Sequence, residues 1–405
     1  MIRRFEDARI LMYSHDTFGL GHLRRCRTIA HSLVEDYRGL SVLIISGATI
    51  AGAFDYRARV DFVKIPSVIK LRNGEYQSLD RHIDLQDTLK MRKAIIHQTA
   101  ETFQPDIFIV DKEPMGLRGE VEPTLQYLKE RGTTLVLGLR EVMDAPHLLD
   151  AEWKRNDVLQ KIGHYYDRVW VYGPPEFYDP LTGLEVPDVL RDKMSFVGFL
   201  QRSVSREIGR EARPAGEYIL VTTGGGGDGA ELVHNVIDAY REDPSLTHKA
   251  LIVLGPYMPA KQRDKLNRKA KKVPLVEVIE FDSRMEELIA GASAVVAMGG
   301  YNTYCEILSF DKRALIVPRV VPREEQLIRA CRASELGLVD MLLPDEAEDP
   351  VKLSAALKAL MVRPLPSTCD PTLRLEGLSH ISQEVEGWID AREAPAEVPA
   401  TREAR

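Results

Sequence analysis

The sequence has few cysteines and no long apolar run. Its four cysteines, Cys26, Cys305, Cys331 and Cys369, are far apart and form no CxxC pair, so neither a zinc site nor a disulfide framework is indicated. We therefore expect reduced thiols and a cytoplasmic location. No apolar run approaches the roughly 18 residues that a membrane span needs, and the first 16 residues lack the apolar core of a signal peptide.

The chain also lacks an excess of positive charge. Its 405 residues include 54 lysines and arginines against 61 aspartates and glutamates, a formal net charge of −7. Nucleic-acid-binding domains generally carry a basic patch, so we expect no nucleic-acid partner. Hydrophobic residues make up 44% of the chain, which is typical of a globular protein, and the length accommodates two domains.

Short runs of Ile, Val and Leu alternate with helical patterns in two series along the chain. Such runs are typical of parallel strands that are buried on both faces. Two series of this kind predict two doubly wound α/β domains, which we place at 1–198 and 217–390 with a linker at 199–216. The tail at 391–405 is polar and rich in Ala and Pro, and we expect it to be disordered. The predicted strands are 10–14, 42–46, 62–65, 107–111, 135–139, 169–172, 218–222, 250–254, 276–280, 294–298, 314–317 and 338–343.

A glycine-containing loop follows the first strand and leads into a helix predicted at 22–36. Gly19 and Gly21 permit a tight turn and close approach of the backbone to a ligand, and the helix N-terminus can face an anion. His22 stands in the first turn, where it could act as a general base. The alternative is a glycine turn with a surface histidine.

A second glycine loop follows the first strand of the second series. Gly224, Gly225 and Gly226 begin a segment with five glycines in six residues, whose backbone N–H groups suit a diphosphate. No Gly-Lys-Ser/Thr follows, so this is not a Walker loop. The alternative is a flexible turn.

Two further segments follow strands of the second series, at the sheet edge where open α/β folds bind ligands. In the first, Gly300, Asn302 and Thr303 could bind phosphate or sugar, and Glu306 could accept both hydroxyls of a ribose. Glu306 could instead simply favour the helix dipole. In the second, the hydroxyls of a hexose could be bound by Glu325 and Gln326, which otherwise form a solvated helix start.

Polar residues also end two strands of the first series. Asp111 ends the strand at 107–111 and could serve as a base, bind an acceptor or cap the next turn. Arg140 and Glu141 end the next strand and are weaker candidates for an acceptor site.

These segments together resemble the GT-B glycosyltransferases. The similarity is greatest to the peptidoglycan N-acetylglucosaminyltransferase group, glycosyltransferase family 28, and to related predicted bacterial glycosyltransferases. It is strongest over 276–337, in VIEFDSRMEELIAGASAVV, GGYNTYCEI and PRVVPREEQ. The resemblance implies two Rossmann-like domains that face each other across a cleft, the N-terminal one on the acceptor side and the C-terminal one binding a nucleotide sugar.

The resemblance also implies roles for individual residues. Phe281 and Asp282 would hold uracil with Met285 nearby. Glu306 would hold the ribose, and the diphosphate would lie against Gly300 and Thr303. Glu325 and Gln326 would bind the hexose. Arg202 would be the interdomain arginine that reaches the diphosphate, and His22 matches the first-loop histidine of the family.

The implied reaction is inverting transfer of a hexose of the GlcNAc type from a UDP-sugar to an acceptor hydroxyl. His22 or Asp111 would be the base. No DxD motif stands where a metal-bridged donor site would need one, so we expect no metal and no cofactor. The acceptor could be a glycan, a lipid-linked molecule or a small molecule, and peripheral contact with the inner face of the membrane stays open.

Two departures from the family keep other activities open. The first loop reads Phe18-Gly19-Leu20-Gly21-His22 instead of GxGGH, and Glu325 stands where the family carries glutamine. The first loop is also similar to that of UDP-sugar hydrolases of pseudaminic acid synthesis, in which the histidine activates water. The alternatives are therefore a hydrolase or an epimerase of the same fold, or a non-catalytic nucleotide-sugar-binding partner in polysaccharide assembly.

Overall fold

The computed structural model describes residues 3–15, 20–70, 76–79, 82–204, 217–370, 373 and 375–393. Three sequence predictions concern residues outside these ranges: the role of Gly19, the end of the linker at 205–216, and the tail from residue 394 onward.

The first domain contains nine strands and six helices among the described residues. The strands are β1 (Arg3–Ser14), β2 (Tyr37–Ser46), β3 (Val60–Lys64), the hairpin β4 (Val68–Lys70) and β5 (Tyr76–Ser78), β6 (Ile107–Asp111), β7 (Thr134–Arg140), β8 (Arg168–Tyr172) and β9 (Met194–Phe196). The helices are α1 (Gly21–Asp36), α2 (Leu85–Phe103), α3 (Glu122–Glu130), α4 (Pro146–Arg155), α5 (Val158–Tyr165) and α6 (Asp188–Arg191).

Seven of these strands form a parallel sheet in the order β3-β2-β1-β6-β7-β8-β9. The order reverses between β1 and β6, and a crevice opens at such a switch point. The register pairs Ser14 with Asp111, so the carboxyl end of β1 and Asp111 meet there.

The second domain has a parallel sheet of six strands, which are β10 (Tyr218–Thr222), β11 (Lys249–Val253), β12 (Val276–Ile279), β13 (Ala294–Ala297), β14 (Arg313–Ile316) and β15 (Asp340–Met341). Their order in the sheet is β12-β11-β10-β13-β14-β15. The switch point lies between β10 and β13, so the loops that follow these two strands open side by side. The helices are α7 (Ala230–Glu242), α8 (Ala260–Ala270), α9 (Met285–Gly291), α10 (Tyr301–Ser309), α11 (Glu325–Glu335), α12 (Pro344–Ala347), α13 (Pro350–Leu360), α14 (Pro366–Cys369) and α15 (Gly377–Glu393).

The last helix, α15, packs against the first domain. Trp388 stacks on the buried Trp170 of β8, with ring centroids 5.7 Å apart. The indole Nε1 of Trp170 donates to Glu384 Oε2 at 2.7 Å, and Tyr37 donates to the carbonyl of Ser382 at 3.0 Å. The chain therefore crosses between the domains twice, and α15 fastens its end to the first sheet. No helix among the described residues is long and apolar enough to cross a membrane.

A buried ion pair joins the two domains. Arg329 of α11 donates to Glu141, which follows β7, with an Nε–Oε1 distance of 2.5 Å, and to the carbonyl of Gly299 at 3.0 Å. The two side chains are 1% and 0% exposed. The sequence made Glu141 a weaker candidate for an acceptor site. In the structure its carboxylate is instead paired with Arg329.

The predicted strands agree with the observed ones, with differences at their ends. The first two strands begin earlier than predicted, at Arg3 and Tyr37, because β1 and β2 continue to pair beyond the apolar run. The strand predicted at 338–343 shortens to Asp340–Met341, because an edge strand is paired on one side only, here with β14.

Candidate active site in the interdomain cleft

A cleft lies where the carboxyl ends of the two sheets face each other. Most of the predicted site residues line it: Gly21, His22, Gly224, Gly225, Gly226, Phe281, Asp282, Met285, Gly300, Asn302, Thr303, Glu325 and Gln326. Three predicted residues are buried beside the cleft and do not line it, namely Asp111, Arg202 and Glu306. Arg24, Arg25 and Arg319 also line the cleft, and the sequence patterns assigned no role to them.

His22, Asp111 and Arg25 form one hydrogen-bonded unit. The Nδ1 atom of His22 lies 2.6 Å from Asp111 Oδ2. Asp111 also accepts from Arg25, at 2.7 Å from Nε and 2.5 Å from Nη2. Because an ionised carboxylate only accepts hydrogen bonds, Nδ1 carries the proton, which leaves the lone pair of the imidazole on Nε2.

The local sequence explains this arrangement. Helix α1 begins at Gly21, so His22 lies in its first turn and Arg25 stands one turn further along the same face. Asp111 ends β6, the direct neighbour of β1, and is 1% exposed. The unit therefore joins two elements that are separated by 86 residues in the chain.

The charges of this unit suit a neutral histidine beside an ionised aspartate. Burial alone would raise the pKa of Asp111, but Arg25 and His22 outweigh it and lower the pKa to about 2. Burial lowers the pKa of His22 to about 4, although Asp111 opposes this change. At neutral pH the imidazole is thus unprotonated at Nε2, the state that a general base requires. Asp111 is occupied by His22 and Arg25 and is closed to solvent.

The glycine loop after β10 has two residues in the left-handed backbone region that favours glycine. Gly224 and Gly226 have φ angles of +66° and +85°. A Cβ atom on Gly226 would lie 2.2 Å from the carbonyl oxygen of Leu254. The carbonyl of Gly225 accepts from the N–H of Tyr257 at 2.9 Å, which holds the loop against the segment after β11. The loop can therefore bring its backbone close to a ligand in the cleft.

Helix α10 connects the cleft to the first domain. It begins at Tyr301, directly after Gly300. The Nδ2 atom of Asn302 donates to the carbonyl of Gly21 at 2.9 Å, and its Oδ1 accepts from Arg202 Nη2 at 2.8 Å. Arg202 also donates to Thr28 Oγ1. The predicted interdomain arginine thus holds α10 against α1 and does not reach the cleft in this structure.

Glu306, the predicted ribose carboxylate, is 1% exposed and paired with Arg24. Arg24 also contacts Glu286 Oε1 at 2.9 Å. Burial raises the pKa of Glu306 to about 7; Arg24 opposes the rise, and Glu286 adds to it. Arg24 lines the cleft, whereas Glu306 does not, so the structure gives the predicted ribose carboxylate no direct access to the cleft.

The segment predicted to contact a hexose is organised by Arg319. Its guanidinium bridges Glu325 of α11 and Asp228 of the glycine loop, the latter at 2.9 Å. Its backbone N–H donates to Gln326 Oε1 at 3.0 Å. A basic residue directly after a strand-ending proline was the only signal for Arg319 in the sequence. The ion pairs fix the position of Glu325 at the cleft wall.

The opposite end of the cleft is lined by Phe281, Asp282 and Met285. The ring of Phe281 is 36% exposed and meets Phe54 of the first domain edge to face, with centroids 6.4 Å apart. Asp282 accepts from the N–H of Arg284 at 2.7 Å. A partly exposed aromatic ring at the cleft wall can accommodate a planar base. Among the described residues, no cluster of His, Cys, Asp or Glu could hold a metal ion.

The second domain matches a known family by sequence. Residues 218–370 match the model of the glycosyltransferase family 28 C-terminal domain. No curated protein matches the chain by sequence.

Solved structures match nearly the whole chain in fold. The glycotransferase of kitacinnamycin has a TM-score of 0.64 at 15% identity, over 95% of this chain and 99% of that chain. The calicheamicin glycosyltransferase CalG4 has a TM-score of 0.61 at 17% identity, over 96% and 100%. MurG from Acinetobacter baumannii has a TM-score of 0.57 at 12% identity, over 94% and 99%.

These matches confirm the predicted GT-B fold and the resemblance to family 28. Residues 218–370 match the C-terminal domain of glycosyltransferase family 28, and the chain as a whole has the GT-B fold.

Proposed function

We propose that the protein transfers a hexose from a UDP-sugar to an acceptor hydroxyl, with inversion and without a metal ion, and that His22 is the base. The observation that carries the proposal is the unit of His22, Asp111 and Arg25 at the wall of a cleft whose other wall consists of glycine loops. It combines an unprotonated Nε2 with backbone N–H groups that suit a diphosphate.

Each group in the cleft has a place in a direct displacement. The acceptor oxygen attacks the anomeric carbon while His22 Nε2 takes its proton. The bond from that carbon to the diphosphate oxygen breaks, and the charge passes to UDP. Asp111 stabilises the imidazolium that forms and, with Arg25, keeps the ring oriented. It is a positioning residue in this scheme, not the base.

The leaving diphosphate lies against the second domain. The glycine loop at Gly224 to Gly226 and the N-terminus of α10 at Gly300 to Thr303 line this part of the cleft, and the helix N-terminus supplies electrostatic stabilisation. Arg202 supports this region from behind through Asn302.

The donor's other parts follow the order of the cleft walls. Uracil lies at Phe281, Asp282 and Met285, and the hexose, of the GlcNAc type in the family that the chain resembles, lies at Glu325 and Gln326. Between them the ribose faces Arg24, with Glu306 behind it. The acceptor enters from the first domain, and we propose that the reaction takes place in the cytoplasm, where contact with the inner face of the membrane is compatible with a lipid-linked acceptor.

Product analysis with a labelled donor tests this function. Purified protein is incubated with UDP-GlcNAc labelled in the sugar, alone and with lipid and glycan extracts from cells. Transfer predicts UDP release together with label in an extract component, and His22→Ala removes both. Free labelled sugar in the absence of extract identifies a hydrolase, and a labelled UDP-sugar isomer identifies an epimerase. Binding of the donor without turnover under all these conditions identifies a non-catalytic partner.

A further inference from the structure

A second groove opens where the two domains meet. It has a volume of about 620 Å³, within the range of about 300–1,000 Å³ that is usual for ligand pockets. Three arginines line it, namely Arg118 after β6, Arg155 of α4 and Arg323 of the second domain, together with Tyr76 and Leu148. The proposed function uses none of these residues, so it assigns the groove no role.

The groove adjoins the sugar end of the cleft. Arg323 lies in the same segment after β14 as Glu325, only two residues away, and Glu325 lines the cleft. Lys112, which directly follows Asp111, lies close to both spaces. Burial lowers the pKa of Lys112, and the charges that act on it include Arg323 in the groove and Glu325 in the cleft. An acceptor that presents a hydroxyl to His22 can therefore extend into the groove.

The wall of the groove carries an excess of positive charge, although the net charge of the chain is −7. Arg118 and Arg155 are exposed, and among the described residues their side chains donate no hydrogen bond and form no ion pair. Arg323 is shared by Asp144, which is 4% exposed, and Glu152, at 3.1 and 3.2 Å. Glu152 is the one carboxylate among the described residues of the wall, against three arginines.

Arg118 occupies its place at a cost in backbone conformation. It lies in the turn Leu117–Gly119 with φ +50° and ψ +36°, a left-handed conformation that glycine adopts freely and arginine rarely. Its guanidinium lies 5.9 Å from the centroid of the Tyr76 ring, a cation–π contact that orients it. A glycine would suit this backbone better than arginine but would present no charge to the groove.

We propose that this groove is an acceptor subsite and that the acceptor is a saccharide with an anionic group, a carboxylate or a phosphate. This rests on the proposed function and defines the class of its acceptor. A guanidinium presents parallel N–H groups that match either anion, and Tyr76 and Leu148 offer apolar surface to a sugar ring. The donor's diphosphate is proposed to lie at the glycine loop of the second domain, so the groove serves the acceptor alone.

Calorimetric titrations of the UDP-saturated protein with three small saccharides test the subsite. The probes are methyl glucoside, methyl glucuronoside and methyl glucoside 6-phosphate, which differ only at C6. The wild type should bind at least one charged probe about tenfold or more tightly than the neutral one, as expected for hydrogen bonds to charged groups. The tighter of the two charged probes identifies the anion as a carboxylate or a phosphate.

Two substitutions and a control assign the preference to the groove. Arg118→Gly and Arg155→Gln should each reduce it and leave the affinity for UDP unchanged. Arg118→Gly should also keep or raise the Tm, because glycine relieves the left-handed backbone, so its loss of binding is not a loss of fold. Arg268→Gln removes an exposed arginine of α8 outside the groove and should retain the full preference.

Three results would overturn the subsite. Equal affinity of the wild type for neutral and charged probes, or no binding of any probe, would show that the groove does not recognise an anionic saccharide. A preference that persists when Arg118→Gly and Arg155→Gln are combined would assign it to other residues. Weaker binding of UDP to these variants would show that the groove serves the donor. Normal binding of UDP without a preference contradicts this inference alone, whereas failure of UDP to bind the wild type contradicts the proposed function.

Discussion

At the scale of single residues, the chemistry depends on how Asp111 divides its hydrogen bonds. It accepts from Arg25 and from His22, and burial makes both contacts more costly to lose. Of the two bases that the sequence left open, the geometry favours His22, since Asp111 has no access to the cleft. Because Asp111 accepts hydrogen bonds from both Arg25 and His22, it fixes the tautomer of the imidazole and balances the charge of the guanidinium.

Removing the imidazole should abolish catalysis and spare donor binding. His22→Ala should lower kcat by roughly 10² to 10⁴, the usual contribution of a general base, because no other side chain replaces Nε2. The affinity for UDP should stay within about twofold of wild type. Such a change in binding free energy is well under the 1.4 kcal/mol that corresponds to a tenfold change. Steady-state kinetics and a UDP titration measure the two effects. Unchanged kcat in this variant would show that another residue is the base.

The pH dependence of activity follows from the lowered pKa of His22. The base form of a histidine is lost as pH falls through its pKa, here about 4 instead of 6.5. Turnover should therefore persist below pH 6 and fall as pH approaches about 4. A pH profile of kcat/KM, with stability checked at each pH, measures this. An inflection near 6.5 would contradict the burial of the imidazole in the free enzyme.

Asp111→Asn should affect both stability and catalysis. The asparagine cannot neutralise Arg25, which is 2% exposed, and breaking a buried pair in this way costs about 3–5 kcal/mol. The imidazole also loses the acceptor that fixes its tautomer, so kcat should fall. Chemical denaturation measures the free energy of unfolding. Asp150→Asn, which removes a surface pair with the exposed Lys154, is the control and should leave the free energy of unfolding close to that of the wild type.

At the scale of elements, segments that follow β1, β10, β12, β13 and β14 line the cleft, and Asp111 at the end of β6 lies behind His22. Each comes after a strand that the Ile/Val/Leu pattern predicts, and the two switch points in strand order bring them together. The strands were predictable because a strand buried on both faces has a local signature. The loops were predictable as sites because glycine and polar residues stand directly after those strands.

Pairing across the domains could not be predicted in this way. Arg24 and Glu306 are 282 residues apart, and no local pattern in either segment indicates the other. The same holds for Arg202 with Asn302 and for the return of α15 to the first sheet. The sequence therefore indicated which elements line the cleft but not that Glu306 and Arg202 are engaged by protein partners.

The glycine loop offers a test at this scale. Gly226→Ala should impair donor binding, because the new Cβ would lie 2.2 Å from the carbonyl oxygen of Leu254 and the φ angle of +85° is strained for alanine. We expect a cost of about 1–3 kcal/mol in stability. Gly387→Ala in α15 is the control, since nothing lies within 4 Å of its Cβ position, and it should stabilise the helix by up to about 1 kcal/mol. Thermal denaturation and UDP titration of both variants measure these effects, and normal UDP binding by Gly226→Ala would exclude the loop from the donor site.

At the scale of the whole molecule, buried polar contacts hold the two domains together around the cleft. The pair of Arg329 and Glu141 is the most buried of these, and Arg329 also supports Gly299 beside the donor site. Arg329 therefore contacts both the first domain and the backbone beside the cleft, so a change in the spacing of the domains would also change the cleft wall.

Breaking this pair should destabilise the chain. Glu141→Ala leaves Arg329 buried without a counter-charge, and we expect a loss of about 3–5 kcal/mol. The double variant Glu141→Leu with Arg329→Met should recover most of the loss, because apolar replacements of a buried pair are often neutral. Denaturation midpoints compare the variants. Equal midpoints for Glu141→Ala and wild type would show that the pair does not hold the domains together.

The measurement that most directly tests the donor assignment is a thermal-shift comparison of UDP with GDP, dTDP and NAD. A ligand that binds the folded state alone raises the apparent Tm by mass action. We predict that UDP and UDP-sugars raise the Tm most, and that Glu306→Gln and Gly226→Ala weaken this effect. No shift with UDP, or a larger shift with another nucleotide that ignores both substitutions, would contradict a UDP-sugar site in this cleft.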